Sequence, residues 1–246
     1  MDDYGPATYG DRIAPVYDDI YGELPHTAAT VDFVHSLAGD GRVLELGIGT
    51  GRIAIPLAQR GVDVHGIDAS AAMVERLRAK PGGAEIPVVI GDFADVAAEG
   101  RFRVVFVAFN TFFNLLSQDA QVLCFANVAH RLEPGGCFVV SAFVPDVSRF
   151  VRDQAFTVAD AGGTSVRLDA SVYDPQRQLV SSTHIHIDEG GVRLFPVRLR
   201  FAYPPELDLM ARLAGLELEA RYGSFERERF TATSVVHVSV YRKPAA

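Results

Sequence analysis

Cysteine, lysine and long apolar runs are scarce in this chain, and each scarcity excludes something. Cys124 and Cys137 are the only cysteines, both inside apolar stretches, so they read as small buried hydrophobes and not as a disulfide framework. That usage fits a reducing compartment. Lysine is confined to Lys80 and Lys243, and although arginine is common, no run of basic residues offers the clustered positive surface that phosphate backbones require. A net charge of −8 and a pI near 5.3 point the same way, so nucleic acid is not an expected partner. No segment reaches the roughly 18 apolar residues of a membrane span. The first residues, Met1 to Gly5, lack the basic and apolar regions of a secretory leader. The expectation is a soluble, cytoplasmic protein without a membrane partner.

With 246 residues, 48% of them hydrophobic, and a mean hydropathy of +0.13, the chain suffices for one α/β domain with an insertion, but not for two full domains. Residues 9–22 and 27–38 have helical spacing and would pack outside a sheet. Strands are then predicted at 42–47, 62–67, 86–90, 103–108 and 136–143, with helices at 51–60, 70–79 and 119–131. That alternation implies a parallel sheet covered on both faces. Pro56 falls near the middle of the first crossover helix and should kink it or shift its register. After Val144 the pattern becomes polar/apolar alternation over 156–160, 165–173, 179–187 and 192–201, an antiparallel meander. A helix at 206–213 and strands at 216–221 and 234–241 would close the sheet as an antiparallel edge pair.

The first strand, V-L-E-L, runs into Gly47, Gly49 and Gly51, whose backbone can turn sharply and approach an anionic ligand. About 20 residues on, the next strand stops at Asp68, where nucleoside-binding α/β folds place a ribose carboxylate. The third stops at Gly91-Asp92-Phe93, and Glu133-Pro134-Gly135-Gly136 precedes the fifth. The dinucleotide pattern G-x-G-x-x-G needs its third glycine one place later than Gly51. Over residues 40–145 this order resembles the class I S-adenosylmethionine-dependent methyltransferases. The chain is most similar in kind to the small-molecule enzymes of actinobacterial natural-product and aminosugar N-methylation.

The resemblance implies an α/β fold with a Rossmann-like, seven-stranded, mostly parallel sheet, helices on both faces, and an antiparallel β insertion after the fifth strand. It divides the single domain into an N-terminal helical lid (1–40), a cofactor-binding core (41–145), the insertion (146–202) and the final helix and strands (203–246). S-adenosylmethionine would be the donor and S-adenosylhomocysteine the product. Gly47, Gly49 and Gly51 would lie along the methionine portion, Asp68 at the ribose, and Asp92 and the Phe93 N–H at the adenine, with Tyr17, Ala69, Met73 and Phe109 also among the residues that would hold the cofactor. Glu45 either approaches the methionine amino group or is satisfied by neighbouring backbone. Arg52, in the first helical turn, either meets a carboxylate of cofactor or substrate or is solvated.

Tyr17 and Tyr21 lie one helical turn apart and would offer aromatic faces to the sulfonium or the acceptor, or else dock the helix. Phe109 and Asn110 to Asn114 follow the fourth strand, where polar groups among aromatics form either a shaped pocket or core. Tyr17, Tyr21, Asn110 and Asn114 are thus the candidates for catalysis. In the aminosugar enzymes a histidine occupies the loop position where this chain has Asn114, which weakens that assignment. His184 and His186 share a strand face without ligand-spaced partners, so they read as a solvated face and no metal is expected. Arg198, Arg200 and Tyr203 either border the acceptor or form a polar strand face.

The predicted function is methyl transfer to a small-molecule nitrogen or oxygen by in-line displacement, chiefly through positioning, since no His–Asp pair is evident in the sequence. The rivals are an NAD-dependent oxidoreductase and a non-catalytic nucleoside-binding protein. A homodimer through the insertion is expected, because its edge strands need covering.

Overall fold

The computed structural model describes residues 4–22 and 24–245. The N-terminal stretch forms α1 (Thr8–Ile13), a 3-10 turn at Ala14–Val16, α2 (Tyr17–Tyr21) and α3 (Thr27–Ala38). A single helix over 9–22 is therefore corrected to two, divided where Pro15, without an N–H to donate, enters the 3-10 turn. Next come β1 (Val43–Leu46), α4 (Ala54–Gln59), β2 (Val64–Asp68), α5 (Ala71–Arg78), β3 (Val88–Ile90), β4 (Phe102–Val107), α6 (Gln118–Arg131) and β5 (Leu132–Phe143). Because α4 begins at Ala54, Pro56 lies in its first turn, where a missing N–H leaves no intrahelical bond unmade, and the expected mid-helix kink does not arise.

The chain then forms β6 (Gln154–Gly162), β7 (Ser165–Asp174), β8 (Leu179–Asp188) and β9 (Gly191–Arg200), followed by α7 (Pro204–Leu213), β10 (Glu217–Tyr222) and β11 (Val236–Arg242). The main sheet has seven strands in the order β10-β11-β5-β4-β1-β2-β3. β1 to β5 are parallel, and β11 runs antiparallel to both of its neighbours. Alternate residues feed two cores, one on each face. Leu44, Val105 and Phe138 join Phe125 of α6, while Val43, Val104 and Val139 join Phe33 of α3 and Leu57 of α4. Both cysteines are free and buried there. Among the described residues no helix is long and apolar enough to cross a membrane.

β6 to β9 form a separate four-stranded meander, whose last strand packs against α1 and the short 3-10 turn Thr111–Asn114. The meander therefore lies beside the loop that follows β4, at the carboxyl end of the parallel strands. Its two faces differ in chemistry. Phe156, Val158, Val172, Ile187, Val192 and Leu194 stand exposed on one side. Asp169, Ser171, Ser182 and His184 face inward, over the carboxyl ends of the main sheet. Val180, Phe195, Val197 and Leu199 share that inward face, so it is mixed, with its polar groups among apolar ones, while the outward face leaves a row of apolar side chains to solvent.

Candidate active site

The turn after β1 is built for close approach. Gly47 has φ +73°, and a Cβ there would stand 2.4 Å from Thr111 Cγ2. The N–H groups of Gly47 and Ile48 donate to Ile67 O at 2.8 and 3.0 Å, tying the turn to β2. Gly51 does a different job: a Cβ at this position would meet Leu77 at 2.9 Å and Ile55 at 3.1 Å, so it allows α4 and α5 to pack together. At the end of β2, Asp68 Oδ2 accepts the Gly49 N–H at 2.7 Å and Oδ1 accepts the Ser70 N–H at 2.8 Å. Burial nevertheless holds its pKa above the usual value. Ser70, not Asp68, caps α5, its Oγ accepting the Met73 N–H at 3.2 Å. Asp92 Oδ1 accepts the Ala94 N–H at 2.9 Å and so fixes the turn carrying Phe93.

Gly47, Gly49, Asp68, Ala69, Met73, Asp92 and Phe93 line one cleft of about 310 Å³, with Tyr4, Tyr9 and Tyr17 on its opposite side. Gly51 is not on its wall, nor are Glu45, Arg52 and Phe109. Glu45 is buried, with one oxygen hydrogen-bonded to the Ala54 backbone, as the second of its two alternatives has it, while Oε2 has no partner among the described residues. Burial raises its pKa well above the carboxylate range, against the pull of Arg52. Arg52 is neither solvated nor inside α4. It precedes the helix, hydrogen-bonds Tyr17, reaches Thr27 Oγ1 at 3.3 Å, and lays its guanidinium 4.0 Å from the centre of the Phe109 ring.

A second cavity of about 690 Å³ adjoins the cleft, and Tyr9, Tyr17, Thr111 and Asn114 border both. Tyr21, Arg52, Phe109 and Asn110 line only this larger one. The Tyr17 and Tyr21 rings are 5.1 Å apart, and Asp18 on the same helix accepts from Thr50 Oγ1 at 2.6 Å and from Lys80 at 2.8 Å, which anchors α2 to the glycine turn. Asn110 is a strap: at φ +69°, its Oδ1 accepts the Phe143 N–H at 2.7 Å and its own N–H donates to Ser141 O at 3.1 Å. Asn114 Oδ1 is buried without a partner among the described residues. Phe112 and Phe113 are fully buried core, so the aromatic loop divides residue by residue between pocket and packing. Arg198 stacks on Tyr4, while Arg200 is buried in a network with Gln121, Gln178 and Glu206; neither borders the larger cavity, and nor does Tyr203.

The histidines are the main correction. His184 is not on a solvated face: it lines the larger cavity, its Nδ1 2.6 Å from Asp169 Oδ1 and its ring 6.2 Å from Tyr9. His186 is buried against Phe195. Alternation shows which residues share a face but not which face turns inward, and here the one carrying Asp169 and His184 does. Tyr9, Thr111, Asp169 and His184 are therefore site residues missing from the sequence-based set. The hairpin carried a signal for two of them. Stepping back equally from the Asp174–Leu179 pair at its mouth sets Asp169 opposite His184. Among the described residues, no group of three or more His, Cys, Asp or Glu could hold a metal ion.

Comparison with known proteins adds to this geometry. A family model described as a methyltransferase domain matches residues 43–136. The cypemycin N-terminal methyltransferase of a Streptomyces species is 31% identical over 234 residues, covering 93% of this chain and 95% of that protein. The solved structure of the CcbJ methyltransferase from Streptomyces caelestis superposes with a TM-score of 0.92 at 49% identity, covering 98% of this chain and 100% of that one. CalS10, an amino pentose methyltransferase from Micromonospora echinaspora solved with bound S-adenosylmethionine, shares the fold with a TM-score of 0.70 at 21% identity, covering 93% and 96%. Neither the oxidoreductase reading nor the non-catalytic one finds support among these relatives.

Proposed function

Because the chain belongs to the class I S-adenosylmethionine-dependent methyltransferases, we propose that it methylates an amine nitrogen of a small molecule and releases S-adenosylhomocysteine. The observation that carries this reading is the pair of adjoining cavities with four shared wall residues, one suited to the donor and the other to an acceptor. The unpartnered Oε2 of Glu45 and the side-chain-free wall at Gly47 and Gly49 fit a ligand with an amino group lying along the turn. Asp68 would accept from the ribose hydroxyls, Asp92 from the adenine amino group, and the Phe93 N–H would face the ring. When bound, S-adenosylmethionine supplies a methyl already activated on a sulfonium, open to in-line displacement. The chain's part is then to orient, to exclude water under α1 and α2 as a lid, and to hold the cation against the faces of Tyr9 and Tyr17.

Nitrogen is favoured over oxygen because the relative that matches nearly the whole chain is named for methylating an N-terminus, which is an amine. The test is a panel of triglycine, glucosamine and simple alkylamines set against phenols and sugars without nitrogen, with deuterated methyl donor and mass-spectrometric detection. Labelled methyl is expected on amines alone. Labelling confined to the hydroxyl compounds would overturn the nitrogen assignment.

The exposed apolar face of the meander is proposed to cover a second copy of the chain. Strands of nine or ten residues, four abreast, present a face of about 600 Å² at ordinary strand dimensions. Paired with itself by a two-fold axis, that buries about 1,200 Å², within the range of stable interfaces. Light scattering should give a dimeric mass for the wild type and a monomeric one for Val192→Asp/Leu194→Asp. A monomeric wild type would reject the interface.

A further inference from the structure

Resting on the amine reading above, we propose that His184, oriented by Asp169, is the proton acceptor of the acceptor cavity, taking a proton from a substrate that enters as an ammonium ion. In this step an N–H bond of the ammonium breaks, its electron pair stays on nitrogen, and a new N–H bond forms at His184 Nε2. The freed lone pair is the nucleophile, and the imidazolium later returns its proton to solvent.

The geometry supports each part. β7 and β8 pair in register with Asp169 directly opposite His184, and the 2.6 Å contact at Nδ1 sets the ring tautomer so that Nε2 carries the free lone pair. The contact also holds the Asp169 carboxyl below its usual range, as a persistent anion that stabilises the imidazolium. Asp169, which acts through His184, is a positioning residue. Both side chains line the larger cavity, and the His184 ring stands beside Tyr9, which borders the donor cleft as well. The other groups around the dyad are Arg149 near Asp169, His186 on the same strand face, Phe195 opposite His184 on β9, and Thr157 opposite Asp169 on β6.

Tyr9 is the obvious competitor for the role, and burial with three further phenols nearby, Tyr21, Tyr17 and Tyr4, removes it. Its hydroxyl is held far above the ordinary phenol range, so it stays protonated and can donate a hydrogen bond but not receive a proton. The same holds in direction for Tyr17. A neutral Asn114 offers an acceptor oxygen but no base. His26 and Asp146 share the wall, but the His26 ring lies 4.9 Å from Phe109 with no carboxylate on its nitrogens among the described residues, and Asp146 Oδ1 already accepts from Ser148 N–H and Oγ; His184 is the base on this wall that a carboxylate orients.

The experiment uses the full-length protein with S-adenosylhomocysteine bound and histidine labelled with ¹⁵N. Side-chain NMR should show His184 protonated at Nδ1 with Nε2 bare, and Asp169→Asn should mix the tautomers. With the best amine of the panel, His184→Gln should lower kcat roughly hundredfold while leaving S-adenosylhomocysteine affinity unchanged. Imidazole should rescue His184→Ala in part, and the acid limb of the wild-type pH–rate profile should be lost in the variant. Wild-type kcat in His184→Gln, or a proton resident on Nε2 of His184, would overturn the assignment. A wild type that methylates no amine would instead sink the acceptor reading, and the NMR result would still decide the dyad.

Discussion

Replacing Asp68 by alanine is expected to weaken S-adenosylhomocysteine binding by well over tenfold, a loss of more than about 1.4 kcal/mol. Two effects add. The ribose loses its acceptor, and the Gly49 and Ser70 N–H groups lose the carboxylate that fixes the glycine turn against the start of α5. Asp68→Asn should not restore binding, because its amide NH₂ must face one of those two N–H donors. The pH dependence follows from burial. A raised folded-state pKa means that the ionised form, which accepts the ribose hydroxyls, is lost on acidification sooner than for an ordinary aspartate. Donor affinity should therefore fall as pH drops through that raised value. For folding the sign is opposite: the protonated form is relatively favoured when buried, so this group's contribution to stability declines as pH rises through its folded pKa. Calorimetry of the variant at neutral pH decides the assignment, and an affinity equal to wild type would remove Asp68 from the ribose.

Gly47→Ala is expected to be strongly destabilising, since both backbone and space oppose it. At φ +73° a Cβ costs about 1–2 kcal/mol on backbone grounds alone, and this one would also stand 2.4 Å from Thr111 Cγ2. A total above about 2 kcal/mol should lower Tm by roughly 4–8 °C for a chain of this size. Thr111→Ser removes the clashing methyl and should recover part of the loss while leaving the backbone cost. Thermal denaturation of the single and double variants measures both. Stability equal to wild type in Gly47→Ala would mean that the turn has a different conformation, and no recovery in the double variant would mean that Thr111 is not the obstacle.

The order of elements was readable from periodicity because the parallel strands are apolar runs, the first three ended by Gly or Asp, and each crossover helix has its own apolar stripe. The seven-stranded sheet, its antiparallel closing pair and the four-stranded meander all follow from that pattern. Part of the smaller cleft, which we propose for the donor, was legible for the same reason, since Gly47, Gly49, Asp68 and Asp92 lie at strand ends on its wall, while Glu45, Gly51, Arg52 and Phe109 do not border it. The acceptor side was not legible. Tyr9 and Tyr17 reach the site from a helix broken at Pro15, so one helical wheel cannot relate them. Arg52 escapes the helix because α4 starts later than the glycines suggest. His184 needs two facts that single-strand reading does not supply, the cross-strand register with Asp169 and the inward turn of the face that carries both.

That inward turn links the insertion to function. A sheet that lines the cavity with polar groups set among Val180, Val197 and Leu199, and leaves apolar side chains outward, can furnish with the same strands the acceptor wall and the subunit interface proposed above. Alternation of side chains makes both available from one sequence pattern.

The account stands most directly on where the donor's sulfur lies. A crystal structure with S-adenosylhomocysteine is expected to show its ribose hydroxyls on Asp68, its amino group at Glu45, and its sulfur at the boundary formed by Tyr9, Tyr17, Thr111 and Asn114, facing the larger cavity. A sulfur directed away from that boundary, with the larger cavity cut off from it, would contradict the account.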